Sequence, residues 1–195
     1  MNMDYIKKKI SDYIEKNLSE KRRIHTEGVR KTAVMLAEKY GEDVDKAEVA
    51  ALCHDMYRGI NIDLLNDYVN QLGLDKKYLD NPNLAHGKIA AVMIKKEYGI
   101  DDQDIINAVS FHTTGRAGMS ELEKIIYLAD AIEPGRDYPS VNQLREAVDR
   151  GLNEALIMSL ERTIEYVRQQ GHFLDEDTLK ARDYYLKEEK PINEQ

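Results

Sequence analysis

Apolar residues recur along almost the whole chain with the spacing that is typical of amphipathic helices. Ile6, Ile10 and Ile14 are separated by four residues each, and Tyr13 widens the same stripe. Residues with this spacing fall on one side of an α-helix, which turns once every 3.6 residues. We find no stretch with the sustained alternation of apolar and polar residues that indicates half-buried strands. The pattern therefore predicts an all-α fold.

Helix-terminating and helix-capping residues divide this pattern into separate predicted helices. Gly41 and Gly73 each follow an apolar stripe, and glycine readily takes the left-handed conformation that ends many helices. Two positions have the spacing of a capping box at a helix start: Ser120 with Glu123, and Ser140 with Gln143. The predicted helices have apolar stripes at 6–14, 29–40, 44–51 and 62–72 and continue at about 84–98, 102–112, 120–132, 140–170 and 176–189, with loops at 73–83, 113–119 and 133–139.

The predicted helices fit one domain. A length of 195 residues allows a single sizeable core. Pro134, Gly135 and Pro139 interrupt the helical pattern, which marks a boundary near Ser140 within the domain. We therefore predict a single domain over residues 1–195, with a core at about 18–140 and a C-terminal helical extension at about 140–190.

The charge balance limits the kinds of partner. The chain has 28 basic and 36 acidic residues and a net charge of −8, which disfavours binding to nucleic acid polymers and to anionic membranes. Any anionic ligand must therefore be held by a local cluster of cations. No apolar run approaches the ~20 residues needed to cross a bilayer, and the N-terminal sequence does not resemble a signal peptide. Cys53 is the only cysteine, so no internal disulfide can form, and we expect a reducing, cytoplasmic setting.

The stretch ALCHDMYRG, residues 51–59, places a histidine and an aspartate where an apolar helix is ending. The pair alone is weak evidence, because a chain of this composition has roughly an even chance of containing one His–Asp pair. Further histidines and an aspartate lie on the apolar, core-facing sides of their own predicted helices. Taken singly, such a histidine is usually a buried, hydrogen-bonded core residue. The ordered set is His25, His54, Asp55, His86, His112 and Asp130.

These six residues are better explained together. Burying four imidazoles and two carboxylates carries a heavy desolvation penalty unless they are paired, and a divalent metal ion would satisfy all of them at once. All but the adjacent pair His54 and Asp55 lie on different predicted helices, as a site in the core of a helix bundle requires. A structural zinc site is disfavoured, because the chain has one cysteine and no Cys or His at finger-like spacing. We therefore predict a catalytic divalent metal.

Cations accompany the predicted ligand segments. Arg58 lies four residues after His54, and Arg116 lies four residues after His112. Each could neutralise a phosphate, although arginine and lysine near helix ends also complement the helix dipole or solvate the surface. Hydroxyl and backbone N–H groups in the turn at 113–115 could contact a phosphate as well, although such turns are often only turns. The predicted phosphate-binding residues are Arg58, Lys88, Thr113, Thr114, Gly115, Arg116 and Arg136, and those predicted to act in catalysis are Asp55, Arg58, Lys88 and Arg116.

Three other polar residues have less definite roles. His172 follows the helix-ending Gly171 and lies beyond the ligand series, so we predict a surface or capping role for it. Glu133 and Asp137 follow Asp130 and could assist the reaction. The sequence offers no dedicated general acid.

The motifs CHDMYRG, AHGKIAA, FHTTGRAGMS and IIYLADAIEPGRDY, in this order and spacing, resemble those of the HD-domain metal phosphohydrolases. They closely resemble the YqeK-like branch, whose members are symmetrical bis(5′-nucleosyl)-tetraphosphatases. The resemblance covers about residues 22–147 and shows no departure at the six ligand positions. It implies an HD-domain helical bundle that hydrolyses diadenosine tetraphosphate and related dinucleoside polyphosphates to two nucleoside diphosphates.

The resemblance also implies an arrangement of ligands. One ion would be held by His25, His54, Asp55 and Asp130, and Asp55 would bridge to a second ion held by His86 and His112. A one-metal HD site would need only the first four residues, so the two additional histidines favour a dinuclear centre. Iron is the first choice of metal, with manganese or cobalt as alternatives. Two ions about 3.5–4 Å apart can activate a water as hydroxide and clamp phosphoryl oxygens.

Two alternatives stay open from the sequence. The chain could be another HD-type phosphohydrolase, such as a nucleotidase or a phosphodiesterase for an alarmone or a cyclic dinucleotide. The cyclic-dinucleotide class is disfavoured because no Gly-Tyr-Pro follows the ligand series. The chain could instead be a nucleotide sensor without turnover, which the complete ligand set disfavours. The sequence does not determine the native metal, the preferred base, the residues that stack on it, or whether the chain forms a homodimer.

Overall fold

A computed structural model describes residues 3–188 of the chain. Within this range the protein contains ten α-helices, one short 3₁₀ helix and no strand, which confirms the all-α prediction. The predicted end of the last helix at 189 and the two ends of the predicted domain lie outside the described residues. The helices are α1 (Met3–Asn17), α2 (Glu20–Tyr40), α3 (Val44–Cys53), α4 (Ile62–Gln71), α5 (Pro82–Tyr98), α6 (Gln103–Phe111), α7 (Glu121–Ile132), α8 (Val141–Arg150), α9 (Leu152–Gln169) and α10 (Glu176–Glu188), with the 3₁₀ helix at Lys76–Tyr78.

One of the two predicted capping boxes forms. The Ser120 side chain accepts from the Glu123 N–H at 3.1 Å, and the Glu123 carboxylate accepts from the Ser120 N–H at 2.8 Å, at the start of α7. The box predicted at Ser140 and Gln143 is wrong. Ser140 has a left-handed backbone (φ 71°) in place of the extended one that an N-cap residue normally takes, and its hydroxyl donates to the carbonyl of Pro139.

The long helix predicted at 140–170 is two helices, α8 and α9, separated at Gly151. This glycine has an extended backbone (φ 167°, ψ 148°) and lies between the last residue of α8 and the first of α9. Glycine disfavours a helix interior by about 1 kcal/mol relative to alanine. The break lets α8 and α9 pack against each other, which buries Leu144 and Leu156. α5 also begins earlier than predicted, at Pro82, because proline suits the first turn of a helix.

Helix α7 forms the centre of the bundle. Every residue from Leu122 to Ala129 is buried, so this helix has neighbours on all sides. It packs against α2, α3, α6, α8 and α9, while α2 packs on α3 and α5 packs on α6. This packing brings the ends of α3, α6 and α7 close to α2 and α5.

The C-terminal helices are fixed to this core. Tyr185 of α10 is 2% exposed, and its hydroxyl accepts from the Met119 N–H at 2.7 Å and donates to the Met119 carbonyl at 3.2 Å. The buried carboxylate of Asp175, just before α10, pairs with the Lys77 ammonium at 2.8 Å. These contacts hold the segment between α9 and α10 beside the 3₁₀ helix. Among the described helices, none has the length and apolar character needed to span a membrane.

Candidate metal centre

Five helices bring the predicted ligands to one place. His54 and His112 directly follow the last residues of α3 and α6, and Asp55 lies in the turn after His54. The remaining ligands lie within α2, α5 and α7. The six residues form two groups, in each of which the ligand atoms all lie within 4.8 Å of one another: His25 with His54 and Asp130, and Asp55 with His86 and His112.

Asp55 connects the two groups. Its Oδ1 lies 3.1 Å from Nε2 of His86. Its Oδ2 lies 3.8 Å from Nε2 of both His25 and His54. The two oxygens of one carboxylate thus face different groups, which is the arrangement that a bridging role would need.

The contacts of Nδ1 indicate which nitrogen of each imidazole ring carries the proton. In His54, His86 and His112, Nδ1 lies 2.6, 2.9 and 2.8 Å from a backbone carbonyl oxygen. A carbonyl has no hydrogen to donate, so Nδ1 of His54 and of His112 carries the proton, and each neutral ring keeps its lone pair on Nε2. Nδ1 of His86 lies 3.2 Å from the Arg58 guanidinium as well, which can only donate, so the contacts of His86 fit a proton on either nitrogen. The Nε2 atoms of His86 and His112 lie 2.9 Å apart and both face Asp55 Oδ1, at 3.1 and 4.0 Å. Imidazole nitrogens that converge with a carboxylate oxygen form a donor set that fits a divalent metal.

In His25, Nδ1 contacts a side-chain carboxylate where the other three histidines have a backbone carbonyl. Its Nδ1 lies 3.1 Å from Oε1 of the buried Glu133, which leaves Nε2 facing Asp130 Oδ1 at 3.0 Å. Burial would lower the pKa of His25, but the hydrogen bonds with Asp130 and Glu133 outweigh it and raise the pKa. A metal ion would offset the negative charge of these carboxylates. Glu133, predicted as a helper in the reaction, therefore contacts the predicted ligand His25, whereas Asp137 is exposed and does not line the cavity described below.

Burial keeps two of the imidazoles neutral. It lowers the pKa of His54, and it lowers the pKa of His112 to about 3. Burial alone would raise the pKa of Asp55, but the neighbouring imidazoles of His54 and His86 hold it well below its usual range. Neutral imidazoles and ionised carboxylates are the forms in which these groups bind metals.

Gly87 allows α5 and α6 to approach each other at the centre. A Cβ atom at this position would lie 2.9 Å from Cε1 of His112 and 3.0 Å from the backbone oxygen of Val109. The second contact is with main chain, which cannot move without shifting α6. A residue without a Cβ is therefore required beside His112.

A cavity of about 810 Å³ opens onto the two ligand groups. The Asp130 side chain is 22% exposed toward it, so this aspartate is less buried than the sequence suggested, whereas Asp55 is 5% exposed. The cavity is also lined by four cations, Arg22, Arg58, Lys77 and Arg136. Asp55, Asp130 and Asp175 pair with three of these cations, so the cluster would attract an anionic ligand mainly when metal ions neutralise the carboxylates.

Three of the predicted phosphate-binding residues line this cavity. The Arg58 guanidinium donates to Asn83 Oδ1 at 2.7 Å and to the Pro82 carbonyl at 3.1 Å. Arg136 pairs with the Asp130 carboxylate and donates through Nε to the Asp130 carbonyl at 2.7 Å. The Thr113 hydroxyl lies 3.2 Å from Nε2 of His112.

The other four predicted phosphate-binding residues, Lys88, Thr114, Gly115 and Arg116, are absent from the described lining of the cavity. Lys88 lies two residues from His86, about 200° around the helix. Its ammonium donates to Ser110 at 3.2 Å and lies 3.4 Å above the Phe111 ring, and burial lowers its pKa to about 8.

The remaining three have partners inside the fold. The Arg116 guanidinium forms two hydrogen bonds with the buried Glu123 carboxylate, at 2.6 and 2.5 Å. The Thr114 hydroxyl donates to the carbonyl of Gly115 at 2.9 Å, and Gly115 has a left-handed backbone (φ 64°). This placement does not support the phosphate contacts that the sequence predicted for Lys88, Thr114, Gly115 and Arg116.

Several residues of the cavity were missed by the sequence analysis. Arg22 pairs with Asp55 Oδ2 at 2.9 Å. Its position three residues before His25, on the same face of the helix, could have indicated that it lies near the predicted ligands. Tyr166 and Phe173 line the cavity and are each 56% exposed. His172, predicted at the surface, is exposed and also lines the cavity. No local sequence pattern predicts Tyr166, His172 and Phe173 as lining residues, because only the packing of the C-terminal helices brings them to the cavity.

Residues 22–135 match the HD domain model, more than half of the chain. The chain therefore belongs to the HD-domain family. The fold, the two ligand groups and this match together define a metal-dependent HD-domain phosphohydrolase.

Individual relatives extend this similarity to most of the chain. It is 39% identical to the symmetrical bis(5′-nucleosyl)-tetraphosphatase of Bacillus subtilis, over 85% of this chain and 89% of that protein. It is 34% identical to the enzyme of the same name from Staphylococcus aureus, over 88% of this chain and 90% of that protein. A crystal structure from Clostridium acetobutylicum, described as a predicted HD superfamily hydrolase involved in NAD metabolism, has 45% identity and a TM-score of 0.88. The similarity covers 93% of this chain and 97% of that one.

Proposed function

We propose that this protein hydrolyses diadenosine tetraphosphate and related dinucleoside polyphosphates at the middle of the phosphate chain, giving two nucleoside diphosphates. The observation that carries the proposal is the cavity in which two groups of metal ligands meet a cluster of cations. The relatives from Bacillus subtilis and Staphylococcus aureus, which bear the name of this activity, support it over most of the chain.

The proposed centre is dinuclear. His25, His54 and Asp130 would hold one ion, His86 and His112 would hold the other, and Asp55 would contribute to both. Iron is the proposed metal, with manganese and cobalt as alternatives, because imidazole and carboxylate donors suit these ions. Bound divalent ions would activate water as the nucleophile and neutralise charge on the phosphoryl oxygens.

The residues of the chain supply the binding and orientation of the phosphates. Arg22, Arg58 and Arg136 present guanidinium groups to the same cavity, and a guanidinium can bind two phosphate oxygens at once. The departing nucleoside diphosphate is a stable anion, so stabilisation of negative charge matters more than a dedicated general acid. Thr113 could add a hydroxyl donor beside His112.

The cellular location and the oligomeric state are further proposals. We place the reaction in the cytoplasm, since the single cysteine, Cys53, is buried as a free thiol and the net charge disfavours anionic membranes. A homodimer stays a prediction that the described single chain does not test.

Product analysis tests the proposed activity. Diadenosine tetraphosphate should give ADP as the only early product. In ¹⁸O-labelled water, the label should appear on the terminal phosphate of one of the two ADP molecules. Early formation of AMP and ATP, or label on a phosphate that adjoins ribose, would show that the substrate is bound and cut in another register.

A further inference from the structure

A second cavity, of about 570 Å³, lies beside the cavity of the metal centre. Its lining comes from the end of α1, the turn after α3 and helix α4. Arg22 and Arg58 belong to the linings of both cavities. The two cavities therefore meet at a pair of guanidinium groups.

Apart from these arginines and the polar Asn17 and Ser19, the lining of the second cavity is mostly aromatic and aliphatic. Tyr13 and Tyr68 are partly exposed there, and each packs against the buried Tyr57, with ring centroids 6.0 and 5.4 Å apart. Leu64 of α4 is 42% exposed and lines the same cavity. Packed tyrosine rings with an apolar neighbour suit the flat face of a nucleobase better than they suit a phosphate.

Cleavage at the middle of a dinucleoside tetraphosphate sets a spatial requirement. One nucleoside diphosphate must extend from the centre on each side of the bond that breaks. The first cavity can receive one half, and Tyr166 and Phe173 are among its lining residues. The other half must leave the centre in a different direction, and Arg22 and Arg58 supply positive charge where the second cavity begins.

We propose that the second cavity binds the nucleoside of the second half of the substrate, with Arg22 and Arg58 contacting the phosphates that pass between the two cavities. This inference rests on the proposed function. The volumes of the two cavities both fall in the range of about 300–1,000 Å³ that is usual for small-molecule sites. The two chemically identical halves of the substrate are then bound by different residues.

The variant Leu64→Trp tests this inference, because the larger indole side chain should occupy part of the second cavity while both arginines are kept. Ile62→Trp is the matched control, since Ile62 is 41% exposed on the same helix and lines neither cavity. Both variants are measured as full-length, metal-loaded protein, with the thermal midpoint as a check on folding. The two readouts are KM for diadenosine tetraphosphate and the inhibition constant of adenosine 5′-tetraphosphate, which has four phosphates but one nucleoside.

In Leu64→Trp, KM for diadenosine tetraphosphate should rise about tenfold or more, which corresponds to the loss of one stacked base. The inhibition constant of adenosine 5′-tetraphosphate should stay within about twofold of the wild-type value, because its single nucleoside can still occupy the first cavity. Ile62→Trp should change neither constant.

Wild-type values of both constants in Leu64→Trp would overturn the inference, because the second cavity would then be unused. An equal rise of both constants would overturn it too, because the effect would then lie in phosphate binding. Failure of the wild-type protein to hydrolyse diadenosine tetraphosphate would instead contradict the proposed function.

Discussion

The Nε2 atoms of His86 and His112 lie 2.9 Å apart, and Nδ1 of each ring lies beside a backbone carbonyl oxygen. Both Nε2 atoms also face Asp55 Oδ1, at 3.1 and 4.0 Å. Packing of α5 against α6, which Gly87 permits, holds the rings in this position. A cation bound by His86, His112 and Asp55 would connect α5 and α6 with the turn after α3, so metal binding should affect the stability of the fold as well as the reaction.

Removing divalent ions with a chelator should abolish hydrolysis and lower the thermal midpoint. An ion that binds only the folded state stabilises it by about 4 kcal/mol when its free concentration is about 1,000 times Kd. Calorimetry with and without chelator measures the change, and added metal should reverse it. The chelator should lower the thermal midpoint of His172→Ala by as much as that of the wild type, since His172 belongs to neither ligand group. A thermal midpoint that the chelator leaves unchanged would count against a metal at this site.

The double variant His86→Ala plus His112→Ala should reduce the metal content from two ions to one ion per chain. Both histidines belong to the second ligand group, and the first group keeps its own three residues. Elemental analysis of purified protein gives the ratio, again with His172→Ala as the control of the same residue type. A wild-type content of one ion, unaffected by the double variant, would rule out the dinuclear centre.

Asp55→Asn should lower activity more than the loss of either His86 or His112 alone. Its two carboxylate oxygens face different ligand groups, so the substitution weakens both ions. Metal content and kcat/KM are the measurements. Asp137→Asn makes the same chemical change at an exposed position outside the cavity and should leave both quantities near wild type. If Asp55→Asn keeps its metal and its rate, the bridging role is wrong.

The arginines should divide into two classes. Arg22→Ala and Arg58→Ala should lower kcat/KM by about tenfold or more, because both guanidiniums line the cavity of the metal centre. Arg116→Ala should instead lower stability by about 1–3 kcal/mol, because it leaves the buried Glu123 carboxylate without its cation. For a chain of this size that is a fall of about 2–4 °C in thermal midpoint per kcal/mol.

Kinetic and thermal measurements on the three arginine variants distinguish the classes. A large loss of kcat/KM in Arg116→Ala with an unchanged thermal midpoint would restore the phosphate contact that its position in the sequence suggested.

Gly87→Ala should weaken metal binding although Gly87 is not a ligand. The added Cβ would lie 2.9 Å from the His112 ring and 3.0 Å from the Val109 backbone, so α5 and α6 must separate. Displaced support around a ligand typically costs about 10–100-fold in metal affinity. Competition with a chelator of known affinity measures the change. Gly151→Ala is a suitable control, because a Cβ at Gly151 meets no atom within 4 Å.

The sequence predicted most of the helices and the residues that the fold gathers into two groups, but not the directions of their neighbours. Periodicity locates α2, α5 and α7, and a His or Asp on the apolar face of a helix must point into the bundle. Lys88 is close to His86 in sequence but points to Ser110 and Phe111, because helix geometry separates residues two positions apart. A residue that is close in sequence to a predicted ligand therefore need not line the cavity.

Residues of the cavity that depend on tertiary packing could not be predicted in this way. Arg22 reaches Asp55 only because α2 packs on α3. Phe173 lies in a segment whose position is fixed by the pairing of Asp175 with Lys77, two residues that are 98 positions apart. The break at Gly151, which turns α9 back onto the core, was also hidden within one continuous apolar pattern.

The cavity wall formed by Tyr166, His172 and Phe173 lies outside residues 22–135, the part of the chain that matches the HD domain. Part of the lining of the first cavity is thus encoded outside the stretch that carries the two ligand groups. Substitutions in the C-terminal stretch can accumulate without touching any of the six ligand residues. Proteins that share this centre could therefore acquire new nucleotide preferences through changes in a short terminal segment, while the metal-binding half of the chain stays the same.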